Sequence, residues 1–288
     1  MRRRAGIVGD CTLLMCSGCA WLRPRDERPL SSSSQTALSR HLSQSAQAAI
    51  DRRDYVHARD DLERLVAGSP RSAEAHHRLG RVMQLQGEWA AAGVAYGRAL
   101  ELDPEYVAAL IGQGEVEAQL GRHDTALRRL DDAIELDPHQ AGAHLAEGRV
   151  LEAQGKIDDA LAAYFRSLEL EPSSPAVSLR VATLQLARKQ TDQALARLDQ
   201  VLEMAPDDPE AHHQRGLAHL ALKHPTRAIA DLRFAAEHLE DRPDVFYHLA
   251  LALNADHKTA DALQATERAL KLAPEYADAR NLSSQLRR

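Results

Sequence analysis

Along most of the chain, small, large apolar and polar positions recur every 34 residues. Pro70, Pro104, Pro138, Pro172 and Pro206 are evenly spaced, Glu240 stands at the next step, and Pro274 resumes the series. In this frame the units are 39–72, 73–106, 107–140, 141–174, 175–208, 209–242 and 243–276. The twentieth position of all seven is alanine (Ala58, Ala92, Ala126, Ala160, Ala194, Ala228, Ala262). The eighth is always small, as at Ala46, Gly80, Gly114, Gly148, Ala182, Gly216 and Ala250. Position 24 is mostly large: Leu62, Tyr96, Leu130, Tyr164, Leu198 and Leu232. Small against large is how paired helices interlock.

Each unit predicts two helices. In the second, 73–86 forms helix A and Gly87 supplies a left-handed stop. Helix B then runs over 89–102. Asp103-Pro104 ends it, because the residue before proline disfavours helical backbone. The first unit is the most divergent, with Gly68-Ser69 where others read Leu-Asp, yet it keeps Tyr55, Ala58 and Pro70. In the sixth, Pro225 is expected to open helix B, and 238–243 reads as a shifted exit turn that loosens the unit. The stretch 277–288 reads as one more helix A, polar enough to cap the stack.

A 34-residue period with small residues at 8, 20 and mostly 27, and proline at 32, resembles the tetratricopeptide repeat (TPR) family over about 39–288. The resemblance implies an all-α fold, a right-handed α-solenoid of seven helix-turn-helix repeats plus a C-terminal capping helix. It also implies a groove lined by positions 2, 5, 9 and 12 of each helix A. Carried onto this chain, the second to fourth units present Glu74, His77, Arg81, Gln84, Ile111, Glu115, Leu145, Arg149 and Glu152, a half that is polar and of mixed charge. Within it His77, Arg81, Glu115, Arg149 and Glu152 would set register. Leu179, Thr183, Leu186, His213, Leu217, Leu220, Tyr247, Leu251 and Asn254 form an apolar half. Some of these leucines would pack between neighbouring A helices. The paired Lys and Asn with which chaperone-binding members grip a C-terminal carboxylate are missing.

Composition agrees with helices. Ala and Leu number 50 and 41 of 288 residues, and only 11 residues are aromatic, which does not suit a sheet surface. The net charge is −6, and near −9 once residues 1–38 are set aside. That balance does not fit nucleic-acid binding.

The N-terminus carries a different signal. Arg2, Arg3 and Arg4 precede a short apolar stretch, and Ser17-Gly18-Cys19 resembles a bacterial lipoprotein lipobox, with Cys16 where the family usually has Leu. Residues 1–19 therefore read as a signal segment with Cys19 as lipid acceptor, and 20–38 as a flexible tether. A lipid there would place the body in the bacterial cell envelope, facing the periplasm; otherwise the chain is exported or cytoplasmic.

No nucleophile elbow, phosphate loop or HExxH occurs among these residues. Neither a cofactor nor a metal site is expected. His76-His77 and His212-His213 lie four repeats apart, and His76, His144 and His212 at position four read as packing residues. The expected function is a non-enzymatic scaffold that binds a protein or peptide segment. The alternative is a substrate-recruiting subunit of a separate glycosyltransferase or cell-wall hydrolase.

Overall fold

The structure, a computed structural model, describes residues 32–288. The expected signal segment, Cys19 and residues 20–31 lie outside the described residues. Among those described are fifteen α-helices and no strand. The first two are α1 (Ser32–Asp51) and α2 (Tyr55–Gly68). Then follow α3 (Ala73–Leu85), α4 (Trp89–Leu102), α5 (Val107–Gln119), α6 (His123–Leu136), α7 (Ala141–Ala153) and α8 (Ile157–Leu170). The rest are α9 (Pro175–Ala187), α10 (Thr191–Met204), α11 (Pro209–Ala221), α12 (Pro225–His238), α13 (Pro243–Ala255), α14 (Thr259–Leu272) and α15 (Ala277–Leu286). No described helix is long and apolar enough to cross a membrane.

Odd-numbered helices are the A helices and even-numbered ones the B helices. Each A helix packs on its own B helix and on the preceding one, giving an α-solenoid. The helix α1 takes in residues 32–38, which the sequence suggested as tether. No proline or glycine lies between Leu30 and Ala67, so nothing stops the helix from propagating backwards out of the first unit.

Position 24 makes the central contact of each unit. Leu62, Leu130, Tyr164, Leu198, Leu232 and Thr266 are fully buried and Tyr96 nearly so. Position 8 on the facing A helix must be small to admit them. A Cβ added at Gly148 would come within 2.6 Å of the Tyr164 ring, and one at Gly216 within 2.6 Å of Leu232. Tyr96 is held from two sides, since a Cβ at Gly80 would approach its ring to 2.9 Å and one at Gly112 to 2.5 Å. All seven position-20 alanines are fully buried. Each fully buried leucine at position 24 contributes about 1.5–3 kcal/mol, and each alanine methyl about 0.8 kcal/mol.

One turn closes every A helix. Position 15 has positive φ in all seven units: Gly87, Gly121 and Gly155, but also Arg53, Lys189, Lys223 and His257 at φ 60°. The next amide bonds back five residues, as in Glu88 N to Met83 O (2.9 Å) and His224 N to His219 O (2.8 Å). This satisfies a carbonyl that the helix end leaves open.

Units are also tied to one another at position 4. The imidazole Nε2 of His76, His144 and His212 donates to the carbonyls of Pro70 (3.1 Å), Pro138 (3.2 Å) and Pro206 (2.9 Å). On α15, Arg280 Nε donates to Pro274 O at 2.7 Å in the same way. These histidines are therefore hydrogen-bonded latches as well as packing residues.

The sixth unit keeps the common frame, and its exit turn is not shifted. The α12 helix opens at Pro225 and has the 14-residue length of its counterparts. Arg242 N bonds Leu239 O at 3.1 Å, as Tyr106 N bonds Asp103 O at 3.2 Å. Pro243 opens α13, as Pro175 opens α9 and Pro209 opens α11. Inside the unit, Arg215 grips buried Asp231 through two bonds (2.9 and 2.7 Å) and reaches Asp199 on α10 at 3.0 Å.

A non-glycine residue in the left-handed region costs about 1–2 kcal/mol, offset in part by the greater chain entropy glycine loses on folding. Lys223→Gly, at an exposed site, is expected to raise stability by about 0.5–1 kcal/mol, and Gly121→Ala to lower it by about 1 kcal/mol. Urea denaturation checks both; equal midpoints would contradict the shared turn geometry.

Candidate functional site

The A helices line the inner face of the stack. Helices α3 and α5, α5 and α7, α9 and α11, and α11 and α13 touch, whereas no two B helices of successive units come comparably close. The stack therefore curves with the A helices inside. Groove positions 2, 5, 9 and 12 fall on these helices.

In the polar half Glu115, Arg149 and Glu152 belong to two separate rungs of a polar ladder. Tyr96 Oη donates to Gln84 Oε1 (2.7 Å), and Gln84 Nε2 donates to Glu115 Oε2 (2.7 Å). Arg149 Nη1 faces the other oxygen of Glu115 at 3.9 Å. Glu115 and Arg149 also line a cavity of about 190 Å³ with Gln84, Trp89 and His123. Glu152 accepts from Tyr164 Oη at 2.7 Å and lies 3.6 Å from Arg180 Nε. Arg81 is exposed. His77 is half-buried, with its ring edge-on to Tyr106 at 5.1 Å and tilted against Tyr96 at 5.7 Å. Burial, then the charges of Arg81 and Arg78, push His77 down to about 4.

The tyrosines and Arg180 were not foreseen as part of this face, although a signal existed. Where position 24 is Tyr, position 12 of the same unit is Gln84 or Glu152. Where position 24 is Leu, position 12 is Ile50, Ala118, Leu186 or Leu220. A buried phenol needs a hydrogen-bond partner, and position 12 supplies it. The Tyr hydroxyl thus carries the packing choice of a B helix out to the groove.

In the apolar half, Leu179, Leu186, Leu217, Leu220, Tyr247 and Leu251 are all half-buried. Leu179 and Leu186 pack against the cluster of Ala182, Ala194, Leu198 and Ala218. Leu220, Tyr247 and Leu251 pack against the core of the last units. They serve the seams between A helices with one side and leave the other open. Thr183 turns its hydroxyl back to the Leu179 carbonyl at 2.9 Å, and Asn254 is exposed.

His213 departs from the expectation. It is only 2% exposed and presents no surface to a partner, because position 5 of α11 is covered by α13. Its Nε2 lies 2.9 Å from His248 Nδ1, with the rings tilted by 30°. The potential ligand atoms of His213, His248 and Asp244 lie within 4.8 Å of one another, although no metal site was expected from the sequence. Glu210 Oε1 stands 3.6 Å from His213 Nδ1. The His213 ring, then Gln214 and Arg242, hold Glu210 down at about 2. Burial, then the His213 ring, push His248 down to about 4.

Tyr164→Phe leaves Glu152 without its donor and is expected to cost about 1–2 kcal/mol, since bonds to charged groups are worth more than neutral ones. An unchanged denaturation midpoint would remove the ladder from the energetics. His77 also makes stability depend on pH. Its folded pKa lies below its unfolded value of about 6.5, so the unfolded chain takes up its proton first. Its contribution is complete above about 6.5 and is lost as pH falls through the window down to about 4. His77→Gln is expected to flatten the pH profile of the urea midpoint there.

The sequence pattern of the tetratricopeptide repeat matches residues 73–106, 111–175 and 151–216. No curated protein matches this chain. Among solved structures, the fold is similar to that in the APC/C hetero-tetramer Cut9–Hcn1, with a TM-score of 0.71 at 18% identity over 86% of this chain and 48% of that one. The chain thus spans about half the length of that relative. It is also similar to YrrB, described as a TPR protein with an unusual peptide-binding site (TM-score 0.58, 20% identity, 67% of this chain and 99% of that one). A third likeness is to PilF of Pseudomonas aeruginosa (TM-score 0.55, 17% identity, 88% of this chain and 99% of that one). At these identities the likeness is one of fold. Paired helices on a 34-residue frame, small residues at every close crossing and three matches to the repeat pattern place this chain in the tetratricopeptide repeat family.

Proposed function

We propose that this protein is a docking scaffold that takes a segment of another protein on the inner face of its solenoid. The observation that carries this reading is the apolar band on α9, α11 and α13, where six large side chains are each half-open on adjacent A helices. Contiguous apolar surface of this kind on a folded protein marks a binding site. The peptide-binding site named for YrrB, a structure of similar fold, supports the same reading. The helices are held by the stack before any partner arrives, which limits the ordering cost of binding.

The polar ladder would set register. Glu115, Glu152, Arg149 and Arg81 place charges of both signs along the first half of the groove. A partner with apolar anchors at one end and mixed charge at the other is complementary to both halves. The N-terminal residues add a location to this reading. A diacylglyceryl group on Cys19 would hold the scaffold at a membrane face of the bacterial envelope, and mass spectrometry of the mature N-terminus reads that directly.

Leu217→Glu combined with Leu251→Glu puts two carboxylates into the band. The double variant is expected to lose partner binding by at least tenfold, while its helical circular dichroism stays that of the parent. A photo-crosslinking residue at position 217 is expected to trap the partner, and one at exposed Val94 on α4 is not. Equal trapping at both sites, or undiminished binding by the double variant, would overturn the assignment of the groove.

A further inference from the structure

We infer that His213, His248 and Asp244 form a binding site for a divalent transition-metal ion, clamping α11 to α13 beneath the apolar band. The His213 Nε2 and His248 Nδ1 atoms lie 2.9 Å apart, and an oxygen of Asp244 completes a set within 4.8 Å. Two nitrogens on one zinc ion, each at about 2.0–2.1 Å, stand about 3.3 Å apart in tetrahedral geometry. A few tenths of an ångström of ring movement therefore suffice for the histidine pair.

The surroundings match such a site in three ways. First, His213 Nδ1 is buried without a hydrogen-bond partner, and it faces Glu210 Oε1 at 3.6 Å. A carboxylate behind the far nitrogen of a ligating histidine fixes the tautomer that directs the other nitrogen to the metal. With its proton on Nδ1, His213 turns a lone pair toward His248. Second, the His248 ring is half-buried and its Nδ1 faces His213 Nε2, so both histidines present a ring nitrogen to one point. Third, the charge balance is favourable. Glu210 and Asp244 bring two negative charges against the one positive charge of Arg242.

Arg242 grips both oxygens of Asp244 (2.8 and 2.6 Å). A carboxylate has about four lone-pair sites, so either oxygen retains one for a cation. Two imidazoles and one carboxylate suit Zn²⁺, Ni²⁺ or Cu²⁺ and not Ca²⁺ or Mg²⁺. Three protein ligands leave a position for water or for a donor from a bound segment.

The sequence concealed this set because its members belong to different units. His213 and His248 are 35 residues apart, one repeat plus one, so they meet sideways across the stack. The adjacent pairs His76-His77 and His212-His213 drew notice instead.

The test uses the full chain, stripped with a chelator and desalted. It is titrated with ZnCl2 in competition with a chromogenic chelator, and in parallel with CoCl2 for its visible absorption. Saturation at one equivalent in the micromolar range or tighter is expected, with a tetrahedral cobalt spectrum. His248→Gln and Asp244→Asn should each weaken that site by at least about tenfold. Should a variant fold poorly, long-range ¹H–¹⁵N spectra of the parent decide the matter. One equivalent of Zn²⁺ is then expected to move the nitrogen signals of His213 and His248 together. If those signals keep the pattern of a shared N–H···N proton, or if the variants bind zinc as the parent does, the site is a hydrogen-bonded histidine pair and the inference fails.

Discussion

Where Gly148 faces Tyr164, one added carbon would lie 2.6 Å from the ring. Similar clearances recur where Gly80 faces Tyr96, Gly114 faces Leu130 and Gly216 faces Leu232. The distance between the two helices of a unit is thus set by what position 24 inserts and what position 8 omits. Everything larger depends on it. The seven buried alanines at position 20 occupy the same crossings. The A helices, drawn against their B helices at one spacing, then line up along one concave face.

The same contact links core to surface in only some units. A leucine at position 24 ends inside the crossing. The tyrosines of the second and fourth units reach through it, and their hydroxyls hold Gln84 and Glu152. The polar character of that half of the groove is therefore fixed from behind, by B-helix residues that no partner touches. In the fifth and sixth units the crossing is filled by Leu198 and Leu232, and position 12 stays apolar as Leu186 and Leu220. The choice between tyrosine and leucine in the core thus sets the polarity of position 12 in these four units.

How much of this could be read from the chain followed from periodicity. Helix starts, close crossings and the capping helix come from residues that repeat at a fixed step, so each unit corroborates the others. Features carried by single exceptions were harder. Glycine at 87, 121 and 155 announces a left-handed turn; lysine at 189 and 223 in the same geometry does not, because the stack imposes it. The missing proline of the sixth unit suggested a shifted turn, yet Pro243 opens the next helix in register. His213 looked like a groove residue by position, but α13 covers it. Its neighbour His248 sits at position six, outside the four groove positions, so a positional reading passes over the pair.

Arg280 holds the carbonyl of Pro274 as His76, His144 and His212 hold theirs. At these four joints a histidine or an arginine makes the same bond, while Leu110, Ser178 and Phe246 stand at that position elsewhere. The turn at position 15, by contrast, is common to all seven units. The length of segment that the inner face can accommodate is thus a matter of unit number, while its chemical preference is written unit by unit in positions 12 and 24.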